Sequence, residues 1–142
     1  DNIPKKYGCK YNGGNNISIP LEFSDIPDDA KSLTLIIDDP DAMSVAGKIW
    51  VHWILVDIPT ETTQLIEVKD GKLGIGQTGR NSNGKKNYGG PCPPNGVHVY
   101  NIKVYALKIE IKKSLGAMTQ KKFEKKYKNE IISSSMISGK YK

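Results

Sequence analysis

Apolar residues ahead of position 112 fall into three runs, and none has helical spacing. Residues 33–37 are almost continuously apolar, as are 49–56, while in 97–107 His98, Tyr100, Ile102, Val104 and Ala106 alternate onto one face. Runs of this length and period predict β-strands. Between them stand turn formers, Asn12-Gly13-Gly14-Asn15, Ile26-Pro27-Asp28-Asp29, Asp70-Gly71, Asn83-Gly84 and Asn95-Gly96, at the spacing of an all-β domain. The pattern changes only near the end. Phe123, Tyr127 and Ile131 recur every fourth residue with lysines between them, which predicts an amphipathic helix over residues 119–135 with Thr119 as N-cap. The expected fold is mainly β, a β-rich α+β single domain over residues 1–142, with antiparallel sheets packed as a sandwich and peripheral helices that include this C-terminal one. One stretch, 73–94, has six glycines, three prolines and no period, the signature of a binding loop or a disordered segment.

Composition narrows the class. A chain of 142 residues, 37% hydrophobic, can bury a core without disulfides or metal, so a small disulfide scaffold and a disordered chain are both disfavoured. No apolar run approaches the roughly 20 residues of a membrane helix, so no stable membrane insertion is expected. The chain opens at Asp1 without initiator Met or apolar signal core, and reads as processed or incomplete. A cytoplasmic location is expected, with a secreted form left open. The net charge of +6 is uneven: residues 1–107 carry 11 basic and 12 acidic side chains, whereas 108–142 carry 10 and 3. Clustered cations suit a phosphate backbone, but Arg80 is the only arginine, which leaves little for bidentate base recognition. The lysines are read as the solvated face of a docked helix, and no nucleic-acid partner is expected.

Several motifs lead nowhere. Gly74-Ile75-Gly76-Gln77-Thr78-Gly79 spells the dinucleotide fingerprint, yet no helical pattern follows and Val99 stands where a ribose-binding acid would be sought. Asn16-Ile17-Ser18 fits a glycosylation sequon by coincidence. Cys9 and Cys92 are too far apart for a metal knuckle, and remain either structural thiols or a long-range disulfide.

The informative residues are Asp38-Asp39-Pro40-Asp41, Trp50-Val51-His52-Trp53 and His98-Val99-Tyr100, each at the edge of a predicted strand, with a glycine-proline loop just before the last. His52 and His98 are the only histidines. If the strand ends meet, imidazoles raised by nearby carboxylates, glycine-loop N–H groups and a tyrosine hydroxyl would hold a phosphate or carboxylate. The aspartates would suit an ammonium, so a zwitterionic head group fits both halves. Two histidines and an aspartate also make a facial metal triad, but no supporting spacing accompanies them. Neither Ser44 nor Ser82 has the context of a hydrolase nucleophile. The expectation is therefore no metal, no cofactor and no catalysis.

Taken in order, Ile3-Pro4-Lys5-Lys6-Tyr7-Gly8-Cys9, Asn16-Ile17-Ser18-Ile19-Pro20-Leu21-Glu22, Asp39-Pro40-Asp41-Ala42, Val51-His52-Trp53, Tyr88-Gly89-Gly90-Pro91-Cys92-Pro93-Pro94 and the strand from His98 resemble the phosphatidylethanolamine-binding protein family, which includes the Raf kinase inhibitor proteins, and most closely its short bacterial and archaeal branch. The stretch from Leu115 through Tyr141 looks like that family's last helix and terminal motif. The resemblance implies a small anion pocket lined by Asp39, Asp41, His52, Gly90, Pro91, Cys92, Pro93, Pro94, His98 and Tyr100. It implies phosphate, phosphorylethanolamine or a phospholipid head group as ligand and a non-enzymatic regulator that binds a serine protease or a kinase. The leading expectation is serine protease inhibition, with residues 73–86 the candidate loop. A phospholipid or phospho-metabolite carrier is the alternative, and a homodimer is allowed. The chain departs from the family pattern at Ile19, at Val99 in place of arginine, and at Met43 in place of a proline, where a cis bond would cost about 2.5–4 kcal/mol. Relatives carry roughly ten further residues ahead of Ile3, a segment that would cover a sheet edge.

Overall fold

The computed structural model describes residues 1–142. In chain order the strands are β1 (Leu21–Glu22), β2 (Ser32–Asp39), β3 (Trp50–Ile58), β4 (Gln64–Leu65), β5 (Gln77–Thr78), β6 (His98–Leu107) and β7 (Ile131–Tyr141), with helices α1 (Met43–Ala46) and α2 (Gln120–Lys126). Short 3-10 turns occupy Lys5–Tyr7, Lys10–Asn12 and Pro40–Ala42. Five strands form one antiparallel sheet in the order β5-β3-β2-β6-β7, and β1 pairs with β4 as a separate two-stranded ribbon.

All eight residues of β2 are buried, which explains why its sequence is a run instead of an alternation. Leu33, Leu35 and Ile37 enter one core with Trp53, Leu55, Tyr88 and Ile102. Ile36 enters the other, on the opposite face, with Val51, Ile54, Tyr105, Phe123 and Tyr127. The sheet is thus covered on one side by β1, β4 and their loops and on the other by α2 and the segment that leads to it. That segment is tied to β3 by Asp57, whose carboxylate accepts from the amides of Ile111 (2.6 Å) and Lys112 (2.8 Å). No helix is long and apolar enough to cross a membrane.

The expected C-terminal helix over residues 119–135 is half right. Thr119 caps α2, its hydroxyl accepting from the Lys122 amide at 3.2 Å, but the helix stops at Lys126 and the chain turns back as β7. The four-residue spacing of Phe123 and Tyr127 holds because both fill the second core, their rings tilted against each other with centroids 4.8 Å apart. Beyond them Ile131-Ile132 favour an extended chain, and the open edge of β6 offers ten paired positions, from His98 with Tyr141 to Leu107 with Ile131. β7 is in turn an edge strand, exposed from Ser133 to Ser138 and covered only at its end, where Ile3 donates to and Asp1 accepts from the Lys140 backbone. Every peptide bond is trans, including the one before Met43.

Candidate functional site

β2 lies between β3 and β6 and runs antiparallel to both, so its C-terminal end meets both of their N-terminal ends. Asp39 is in register with Trp50, and Asp38 with Val51 on one side and Asn101 on the other. Three motifs far apart in the chain therefore share one end of the sheet. A cleft of about 670 Å³ opens there.

Asp39 is buried and fully engaged. One carboxylate oxygen accepts from the Asp41 amide at 2.9 Å, capping the Pro40–Ala42 turn, and the other lies 2.6 Å from Nδ1 of His98. That contact fixes the imidazole proton on Nδ1 and leaves Nε2 free. His52 is fixed differently. Its Nδ1 lies 2.8 Å from the Gly89 carbonyl, which can only accept, so the ring donates there and again leaves Nε2 free. Burial holds the His52 pKa below the usual imidazole value, partly offset by the Gly89 carbonyl, so the ring is neutral at neutral pH. Tyr100 stands beside both rings, with His52 edge-on at 5.1 Å and His98 stacked at 6.3 Å. Burial pushes its phenol far above the ordinary value, the Asp39 charge adding to the effect, so the hydroxyl remains a neutral donor. That hydroxyl is buried and has no hydrogen-bond partner.

Of the ten residues expected to line a pocket, Asp39, His52, Gly90, Cys92, Pro93, Pro94, His98 and Tyr100 line this cleft. Asp41 and Pro91 do not. The Asp41 carboxylate accepts from the Val99 amide at 2.8 Å and ties the turn to β6, and the Pro91 carbonyl accepts from the Cys9 amide at 2.9 Å. The glycine loop also differs from expectation, because its amides are already used: Gly89 donates to the His52 carbonyl at 2.8 Å and Gly90 to the Asn16 side chain at 2.7 Å. A Cβ at Gly90 would come within 2.5 Å of the Tyr7 carbonyl oxygen, so this close approach requires glycine. Cys9 and Cys92 are disulfide-bonded with Cα atoms 5.4 Å apart, and both face the cleft.

Sequence reasoning missed Asn16, Trp50, Asp70 and Asn81 as lining residues. Asn16, read as half of a sequon, braces the wall: its Nδ2 donates to Asp70 (2.9 Å) and to the Tyr88 carbonyl (2.9 Å) while its oxygen accepts from Gly90. The signal was present in the position of Asn16 within a block that already resembled the family. For Asp70 there was none, since an Asp-Gly pair reads as a turn. As a metal triad the two histidines and Asp39 fit poorly, because both oxygens of Asp39 are engaged, by the Asp41 amide and by His98, which leaves only the two imidazole Nε2 atoms.

An antiparallel sheet with a polar cleft at the meeting of three strand ends defines the class of protein. The family model for phosphatidylethanolamine-binding protein matches residues 1–142, and the chain belongs to that family. It is 38% identical to a UPF0098 protein of Aquifex aeolicus, over all of this chain and 82% of that one. It is 36% identical to one of Chlamydia muridarum, over 98% of this chain and 89% of that one. Among solved structures it is similar to a phosphatidylethanolamine-binding protein homologue of Chlamydia trachomatis, with TM-score 0.84 and 35% identity over 99% of this chain and 89% of that one. It is equally similar in shape to Escherichia coli YbcL, described as a new member of the mammalian phosphatidylethanolamine-binding protein family, with TM-score 0.84 and 28% identity over 100% of this chain and 91% of that one.

Proposed function

We propose that this is a non-catalytic binding protein whose cleft takes the phosphate-type anionic group of a small molecule. The observation that carries the reading is the Tyr100 hydroxyl, buried and unpartnered between two imidazoles that each keep Nε2 free. A buried donor without an acceptor costs about 1–3 kcal/mol, which an anion's oxygen would return. The absence of catalysis is supported by the candidate nucleophiles: both thiols are in the disulfide, the Ser44 hydroxyl donates to the Asp41 carbonyl, and the Ser82 hydroxyl accepts from the Val51 amide. The disulfide suits an oxidising compartment or the cytoplasm of a hyperthermophile, and we place the protein in one of those settings.

Calorimetric titration with methyl phosphate tests the reading. Tyr100→Phe is expected to weaken binding by one to two orders of magnitude, the worth of a charge-assisted hydrogen bond. Because His52 is neutral in the free protein and an anion favours its protonated form, binding at pH 8 is expected to take up protons, seen as a dependence of the apparent enthalpy on the buffer's ionisation heat. Unchanged affinity in Tyr100→Phe, or no proton uptake, would count against it.

A second reading, serine protease inhibition, is favoured by one observation. Within residues 73–86 the turn from Asn83 to Lys86 is exposed yet rigidly held, because the buried Asn81 side chain accepts from the amides of Asn83 (2.9 Å) and Lys85 (3.2 Å) and donates to the Asn87 carbonyl (3.0 Å). A preformed exposed turn binds a partner at little entropic cost.

A further inference from the structure

Asparagine followed by glycine loses its side-chain amide readily, because glycine puts no side chain between its own nitrogen and the Cγ that this nitrogen attacks. The chain has three such pairs, Asn12-Gly13, Asn83-Gly84 and Asn95-Gly96, each read from sequence only as a turn. The attack needs a glycine N–H free to lose its proton and an asparagine side chain free to swing toward it. Two of the pairs are withheld. The Gly13 N–H donates to the Lys10 carbonyl at 3.0 Å, and the Asn12 side chain donates to the Pro93 carbonyl at 3.1 Å. The Gly84 N–H donates to the Asn81 carbonyl at 2.9 Å, within the turn that Asn81 also pins at the Asn83 amide. An N–H held in this way reacts only through local opening, which lowers its rate by the opening constant. At the third pair nothing is held. Both residues are exposed, neither the Asn95 side chain nor the Gly96 N–H has a hydrogen-bond partner, and a Cβ at Gly96 would meet nothing within 4 Å.

We infer that Asn95 is a site of spontaneous self-modification whose product lowers the cleft's affinity for anions. A bond forms between the Gly96 nitrogen and Asn95 Cγ, the Cγ–Nδ2 bond breaks, and Nδ2 leaves as ammonia with the proton that Gly96 gave up. Water then opens the five-membered ring at either carbonyl, leaving aspartate or its β-linked isomer and releasing a proton to solvent. The position gives the reaction its consequence. Pro94, immediately before Asn95, lines the cleft, and His98, three residues after it, is fixed by Asp39. Residues 94–97 are exposed between a buried Pro93 and a buried His98, so the extra backbone atom of the β-linked product is absorbed within the loop and the groups of the site stay in place. What changes is charge, one carboxylate appearing beside the cleft that an anion enters. This consequence, unlike the modification itself, rests on the anion reading above. An exposed charge repels a phosphate dianion modestly, roughly two- to fourfold at low ionic strength and less with added salt.

The test ages the folded wild type in mildly alkaline buffer and reads each pair by mass. After reduction and digestion with trypsin the three pairs fall in separate peptides, residues 11–31, 81–85 and 87–103, and fragmentation locates the mass gained when NH2 becomes OH. In the folded protein Asn95 is expected to convert roughly tenfold or more faster than Asn12 and Asn83, whereas in denaturant all three convert within about threefold of one another. Conversion of Asn95 no faster than the other two in the folded chain, or the same disparity in denaturant, overturns the structural assignment of the site. Asn95→Asp then supplies the product's charge on a normal backbone. It is expected to bind methyl phosphate roughly two- to fourfold more weakly than the wild type at low salt and equally at high salt. Equal affinity at low salt overturns the coupling to the cleft while leaving the anion reading intact. Failure of freshly prepared wild type to bind methyl phosphate removes the anion reading and the coupling with it, and the conversion at Asn95 is still decided by mass.

Discussion

Asp38 and Asp39 are neighbours, both buried, and strand geometry sends them to opposite faces of the sheet. Asp39 reaches the cleft and His98. Asp38 turns toward α2, where it accepts from the Gln120 amide at 2.9 Å. Burial, only partly offset by that hydrogen bond and reinforced by the charge of Asp39, pushes its carboxyl up to about 6. In the unfolded chain it titrates near 3.9. Between those values the folded state holds a proton that the unfolded state has lost, so this group favours folding less as pH rises and its full cost is present above about pH 6. Asp38→Asn removes the titration. Denaturant unfolding of both proteins is expected to show the wild type gaining about 2 kcal/mol relative to the variant as pH falls from 8 to 4, and parallel pH profiles would refute the assignment. The sequence displayed three carboxylates in four residues and they were grouped as one site. Alternation along β2 and the capping of the Pro40–Ala42 turn divide them among a cleft, a helix and a strand end, and only Asp39 could be placed from pattern alone.

The long elements were legible because burial writes itself into runs of apolar residues: β2, β3 and β6 lie within two residues of their predicted bounds. β7 was not, since its exposed serines carry no hydrophobic period and its pairing is set by the edge of β6. The N-terminal segment and the proline loop were legible as turns, with a disulfide between them one of the two alternatives left open, and the Cys9–Cys92 bond does join them across 83 positions of sequence. Closing a loop of that size corresponds to about 4–5 kcal/mol by chain entropy, and native disulfides more commonly contribute 2–4. The same two segments are also linked by the Cys9–Pro91 backbone bond, the Asn12 amide on the Pro93 carbonyl (3.1 Å) and the Tyr88 hydroxyl on the Tyr7 carbonyl (2.8 Å). These bonds hold the wall in place locally. Cys9→Ser with Cys92→Ser is therefore expected to fold and to lose about 2–4 kcal/mol in denaturant unfolding, with methyl phosphate affinity reduced less than tenfold. A loss below about 1 kcal/mol would show that the hydrogen bonds alone set the stability of this wall.

At the scale of the whole molecule, the topology places cleft and turn side by side. β3 begins at the cleft, and the 73–86 loop returns along it, with Gly79 donating to Ile54 (2.8 Å) and Ser82 to Val51 (2.9 Å). The turn that follows brings Asn83 and Lys85 into the cleft lining. Neither the pairing nor the adjacency was visible in a stretch without hydrophobic period, which could be read only as a loop of unusual length. The adjacency gives the inhibitor reading a consequence that the sequence did not suggest. A protease seated on residues 83–86 and a ligand seated against His52 and Tyr100 would meet at Asn83 and Lys85, so each should weaken the other by the same factor, as linkage requires. Titration of trypsin-like proteases, which favour a lysine-bearing turn, is expected to saturate at one inhibitor per enzyme. Asn81→Ala, which frees the turn, should raise the inhibition constant at least tenfold. His52→Ala should leave inhibition in place and abolish its antagonism by methyl phosphate. Inhibition that disappears in His52→Ala with the fold intact would move the protease contact into the cleft itself, and inhibition indifferent to Asn81→Ala would remove the turn from the interface.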